Sequence, residues 1–152
     1  MRRASDITGE AAGRIIDWTL PRGLRNNNPG NIDRKAGTTW RGMSADQSTD
    51  SRFVVFEAPE WGIRAIARVL KSYRARGVDT LREVITTWAP PTENDTVSYI
   101  TQVARVTGLS PDDPVTDGHL PSLIAAIIQH ENGQQPYSQD VILRGVELER
   151  SA

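Results

Sequence analysis

The stretch LPSLIAAIIQHENGQQPY, Leu120 to Tyr137, decides how the rest of the chain is read. Leu123, Ile124, Ile127 and Ile128 recur at helical spacing, and Glu131 lies four residues after Ile127 and three after Ile128, on the same apolar stripe. Pro121 suits a first helical turn, and Gly133 directly after Asn132 suits a helix end. The spacing therefore predicts a buried helix whose last turn carries one carboxylate toward the interior. Partial burial and the negative end of a helix both favour a carboxyl group that keeps its proton. Such a group can serve as general acid toward a leaving sugar oxygen. The structural alternative is a helix-end Glu turned to water or paired with an Arg.

A chain of 152 residues is long enough for one domain with a real core, and 38% hydrophobic with 24% charged residues is the balance of an ordinary globular protein rather than a disordered one. The longest apolar run, Leu123 to Ile128, is far too short to cross a bilayer, so no membrane span is expected. Met1-Arg2-Arg3 is basic, but no apolar signal-peptide core follows it. The absence of cysteine excludes disulfides and thiol nucleophiles, and two histidines alone make a poor zinc set. No metal or cofactor is expected; the chemistry falls to carboxylates, hydroxyls and amides. Charge is unevenly spread: residues 20–80 sum to +5 and residues 81–152 to −6. A basic half suits an anionic polymer, whereas pairing between the halves is the intramolecular alternative.

Ile7, Ala11, Ile15 and Trp18 have helical spacing and predict an amphipathic helix over residues 5–18, within an N-terminal helical extension, residues 1–20, that precedes the main domain, residues 21–150. Arg22 to Ile32, RGLRNNNPGNI, is rich in residues that bond their own backbone and reads as an ordered polar loop. Thr38–Gly42 and Arg52–Phe56 suit a small hairpin or irregular sheet. Pro59 and Glu60 open a helix with Ile63, Ile66, Leu70 and Tyr73 on one face and Arg64, Arg68 and Lys71 on the polar face. Thr80 and Glu83 match a capping box for a helix burying Leu81, Val84, Ile85 and Trp88. Asn94 or Asp95 then caps a helix burying Val97, Ile100 and Val103 or Ala104, and Ser138 caps a last helix ending near Leu148.

Taken together, RGLRNNNPGNI, WRG, FVVFEAPEWGIRAIARVL, WAPPTENDTVSYI and AIIQHENGQQPY resemble a family of small phage and prophage proteins described as virion structural or lytic proteins. A second resemblance concerns activity. The helix ending in Glu131-Asn132-Gly133, with Pro136-Tyr137 beyond, is similar to the helix end that bears the catalytic Glu of lytic transglycosylases and bacterial glucosaminidases. Asn27 to Asn31, Trp40-Arg41-Gly42, Phe53 to Phe56 and the helix from Ile63 to Tyr73 resemble the run that follows that Glu in glucosaminidases, and Trp88 to Tyr99 stands where they carry a Tyr/Asp segment. Here the Glu helix comes last, so the resemblance implies a lysozyme-like domain in circularly permuted order. Permutation is physically cheap where termini lie close together at a surface.

The resulting expectation is an α+β, mainly α, lysozyme-like single domain with a small β-hairpin, cleaving peptidoglycan glycan strands as a muramidase, glucosaminidase or lytic transglycosylase. Glu131 is the candidate acid. Glu93, Asp95, Glu57 and Glu60 are candidate helper carboxylates, and for Glu93 the alternative is an exposed loop residue beside a helix cap. Asn28, Asn31, Asn94 and Gln135 could hold acetamido groups, and Trp40, Tyr99 and Tyr137 could stack on sugar faces. The implied partners are glycan strands and virion proteins, with nucleic acid ranked below them. The implied setting is synthesis in the bacterial cytoplasm without a signal peptide and action at the cell wall, at lysis or from a phage particle. The rivals are a non-enzymatic virion component binding DNA or a capsid partner, and a glycan-binding module without turnover.

Overall fold

The computed structural model describes residues 8–11 and 14–151. It is mainly helical, an α+β domain in the order β1 (Thr8–Ala11), β2 (Arg14–Asp17), α1 (Arg22–Arg25), α2 (Pro59–Ala75), α3 (Leu81–Trp88), α4 (Thr96–Thr107), α5 (Leu120–Asn132) and α6 (Gln139–Arg150), with one 3-10 turn at Asp117–His119. α5 lies centrally, packed against α1, α2, α4 and α6. Its Leu123, Ile124, Ile127 and Ile128 are all fully buried, each worth about 1.5–3 kcal/mol in surface removed from water. Gly133 ends the helix in the left-handed conformation at φ 73°, as the sequence leads one to expect.

The caps of the next helices follow from local chemistry. Thr80 and Glu83 form the reciprocal capping box on α3, Asp95 accepts from the Ser98 N–H at the start of α4, and Ser138 accepts from the Val141 N–H at the start of α6. On α4 the buried side is Thr96, Tyr99, Ile100 and Val103, while Val97 is 76% exposed; the apolar stripe is rotated from the one expected because Tyr99 turns inward.

Three further expectations are corrected. Where residues 5–18 are described they form not a helix but an antiparallel hairpin, pairing Thr8 with Asp17 and Ala11 with Arg14; residues 5–7 and 12–13 lie outside the described residues. Glycine at positions 9 and 13 disfavours a helix, and Ile15 and Ile16 are β-branched, one 63% exposed and the other buried. Of the small hairpin or irregular sheet expected of Thr38–Gly42 and Arg52–Phe56, the hairpin does not form; the segment is an irregular loop, crossed by isolated antiparallel bridges between Asp33 and Phe53 and between Met43 and Phe56. Side chains take over from ladder bonds there: Arg34 Nη1 donates to the carbonyls of Asp50 at 2.8 Å and Phe53 at 3.1 Å, and Gln47 donates to Val55 O at 2.8 Å. A second small core of Val54, Phe56 and Ala65 sits under this loop with Trp40, Met43 and Trp61. Finally, Arg64 of α2 is buried rather than on a solvated face.

Candidate functional site

The polar loop after α1 is built by its own amides. Asn26 donates to Asp50 Oδ2 at 2.7 Å, and Arg22 grips both oxygens of the same carboxylate at 2.7 Å each. Burial opposes ionisation of Asp50, but bonds from Arg22, from the Phe53 and Arg52 N–H groups and from Asn26 outweigh it and hold the carboxyl well below the usual range. Asn28 donates to Ile32 O at 3.0 Å and to Val54 O at 2.8 Å and accepts from the Ile32 N–H at 3.0 Å. Asn27 and Asn31 adopt positive φ, 53° and 51°, a conformation Asn tolerates better than most residues. This loop is tied to the end of α5 by Asn132, whose amide donates to Pro29 O at 2.9 Å across 103 residues of chain.

That tie brings Asn31 to Glu131. Asn31 Nδ2 donates to Glu131 Oε1 at 3.2 Å, Tyr99 OH donates to Oε2 at 2.9 Å, and Trp88 Nε1 approaches the same oxygen at 3.4 Å. Three neutral donors from the polar loop, α3 and α4 thus orient one carboxylate, and no cation pairs with it among the described residues. Burial, then the charge of Glu131, raises the pKa of the Tyr99 phenol far above its ordinary value, so Tyr99 stays a donor. Its ring stacks on His130 with centroids 3.6 Å apart, and His130 Nδ1 bonds Gln102 Oε1.

Glu131 opens on a cleft of about 460 Å³. Trp40 and Phe53 of the irregular loop, Tyr73 of α2 and Trp88 of α3 line it, with Glu93 and Asn94 of the α3–α4 connection and Lys35 and Arg52. Aromatic faces flanking a carboxylate and amides suit a ligand with apolar faces and hydroxyl or amide edges. Among the described residues no cluster of His, Cys, Asp or Glu could hold a metal ion.

Of the residues singled out from sequence, Glu131, Asn31, Trp40, Glu93 and Asn94 meet at this cleft. The others do not line it. Asn28 is fully buried and its amide is consumed by backbone groups. Tyr99 is 1% exposed and reaches Glu131 only through its hydroxyl, so its ring offers no stacking face. Gln135 closes a turn on the backbone of Tyr137, and Tyr137 packs on the main core, where burial and then Glu60 push its phenol up to about 12. Asp95 is committed to capping α4; its bond from the Ser98 N–H lowers its carboxyl pKa. Glu57 is exposed and Glu60 stands in the first turn of α2, both outside the lining. Phe53, Tyr73 and Trp88 carry no site signal of their own in the sequence, because each also fits an apolar stripe or strand. Position directly before Ala89-Pro90-Pro91, where a helix must stop, is the one signal that sets Trp88 apart.

No helix among the described residues is long and apolar enough to cross a membrane. No protein-family model matches the chain. Protein P5 of Pseudoalteromonas phage PM2 is 42% identical over 129 residues, covering 83% of this chain and 80% of that protein. Identity over that much of both chains agrees with the phage resemblance read from sequence. The chain belongs to the family of this phage protein P5.

Proposed function

We propose that this phage-related protein is a lysozyme-like enzyme that cleaves the glycan strands of peptidoglycan, with Glu131 as general acid. The observation that carries the reading is the placement of Glu131: a helix-end carboxylate, oriented by Asn31, Trp88 and Tyr99, that lines one cleft together with Trp40, Phe53, Tyr73 and Trp88. The aromatic walls would take sugar faces, and Asn31 and Asn94 the acetamido groups. Glu93, on the same cleft, is the helper carboxylate best positioned to activate water. Where the substrate acetamide or a sugar hydroxyl attacks instead, no second carboxylate is needed. The adjacency of Glu131 to the 31–56 segment, met at Asn31 across a sequence separation of 100, is what a permuted lysozyme-like domain requires. Action at the wall, at lysis or from the particle, follows from this reading.

One feature favours a second reading. All three partners of Glu131 are donors, which also suits a carboxylate held ready to accept hydrogen bonds from sugar hydroxyls in a glycan-binding module. Turnover separates the two. Purified protein incubated with purified peptidoglycan should release fragments whose masses report the bond cleaved and whether water enters. Glu131→Gln should slow release by about 10²–10⁴-fold, the usual contribution of general acid catalysis. Binding without release would support the module, and an undiminished Glu131→Gln rate would remove Glu131 from the chemistry.

A further inference from the structure

Outside the cleft, α2 carries a buried cation that no ion pair holds among the described residues. Arg64 is 7% exposed, its Nε is buried with no hydrogen-bond partner, and it makes no ion pair among the described residues. A guanidinium taken out of water is ordinarily paired, because an uncompensated buried charge is costly. Its surroundings add positive charge. Arg68 stands one turn further along α2, and one turn back Trp61 carries the Arg41 guanidinium 5.5 Å above its ring. Trp61 is itself pinned, since Gly42 presses so close that an added Cβ would lie 2.1 Å from the indole. Glu149 of α6, 4% exposed, is already engaged by Lys71 at 3.0 Å and by Arg68 at 3.6 Å. Burial first, then the charge of Arg41, lowers the Arg64 pKa from its ordinary value against the opposing pull of Glu149.

We propose that Arg64, flanked by Arg41 and Arg68, forms an anion site for a phosphate-type oxyanion, separate from the Glu131 cleft. Arg41, Arg64, Arg68 and Lys71 outnumber Glu149, which pairs with Lys71 and Arg68, and a multi-oxygen anion offsets that excess better than a single carboxylate does. The planar fork of arginine matches such oxygens with paired charge-assisted bonds. The phosphate can come as the free dianion or as a diester borne on a larger molecule, and either would meet the same guanidinium groups. None of Arg41, Arg64 and Arg68 lines the cleft, so this site stands whether or not the protein cleaves glycan.

The test is thermal melting of the whole protein in sodium phosphate against sodium chloride at matched ionic strength, repeated with glycerophosphoglycerol as the diester probe. Wild type should melt higher with at least one of the two probes, and the stronger probe identifies free phosphate or diester as the source. Arg64→Met should melt at or above wild type in chloride, because it removes a mostly buried charge that no ion pair holds, and should lose the probe-dependent rise. Arg68→Gln, at a side chain 62% exposed, keeps the fold and should bind the effective probe roughly tenfold more weakly by calorimetry, the loss of about one charge-assisted bond. The site is overturned if neither probe exceeds chloride, if the rise survives in Arg64→Met, or if Arg64→Met melts well below wild type in chloride.

Discussion

Glu131 and Asp50 are two inward carboxylates with opposite partners, and substitution separates them. Glu131 meets three neutral donors, so Gln can still accept from Trp88 and Tyr99 but turns its amide N–H toward the Asn31 amide, donor against donor. Glu131→Gln should therefore cost about 1 kcal/mol, well short of the 3–5 kcal/mol lost on breaking a buried ion pair. Urea unfolding measures it, and a loss of several kcal/mol would contradict the neutral environment. Asp50, by contrast, is held by Arg22 and three N–H donors, and its folded pKa lies below the unfolded value near 4. Its stabilisation is complete above that unfolded value and is lost as pH falls through the folded one. Asp50→Asn should be less stable than wild type by about 2–3 kcal/mol at neutral pH, with the gap closing in strong acid. A gap unchanged from neutral pH to below about pH 3 would refute the assignment.

At the scale of elements, the approach of the polar loop to α2 sets where Asn31 can stand. Gly62, inside α2, has room for no side chain: a Cβ would lie 2.0 Å from Asn27 O and 2.8 Å from Pro29 Cδ. Helix propensity favours Ala over Gly by about 1 kcal/mol, yet overpacking against backbone costs about 1–3 kcal/mol, and at 2.0 Å the clash wins. Gly62→Ala should thus lower the melting temperature and, through displacement of the Asn27–Asn31 turn, lower any turnover at Glu131. A variant as stable as wild type would mean that the loop is not pressed against the helix. The helices themselves were legible because their caps and stripes are local: Thr80 with Glu83, Ser138, and Gly133 after Asn132. The N-terminal hairpin was not, since Ile7, Ala11, Ile15 and Trp18 also satisfy a helical period, and strand pairing between Thr8–Ala11 and Arg14–Asp17 decided otherwise.

For the molecule as a whole, the +5 and −6 parts of the chain are partly joined by ion pairs. Lys71 and Arg68 meet Glu149, and Arg74 meets Asp117 at 2.6 Å, each from the basic part to the acidic one. The Arg74–Asp117 pair is 36% and 66% exposed, so Arg74→Ala should cost at most about 1 kcal/mol, and less in high salt. Chemical unfolding in low and high sodium chloride checks this. A loss beyond 2 kcal/mol that salt does not reduce would show that the pair is more than a screened surface contact.

Sequence by itself determined the helical class, the central apolar helix and the arrival of Glu131 at its inner end, because a 3.6-residue period and a glycine stop act within a few residues. It also determined that three asparagines would order a turn. Only tertiary structure decided which asparagine meets the carboxylate: Asn28 is spent on Ile32 and Val54, whereas Asn31 reaches Glu131. The same holds for Trp88 and Tyr99, which converge on one carboxylate oxygen, and for Arg64, which lost the solvent its helical position promised. These outcomes depend on contacts between segments 30 to 100 residues apart, set by how α2, α4 and α5 close over the core, and no local period encodes that closure.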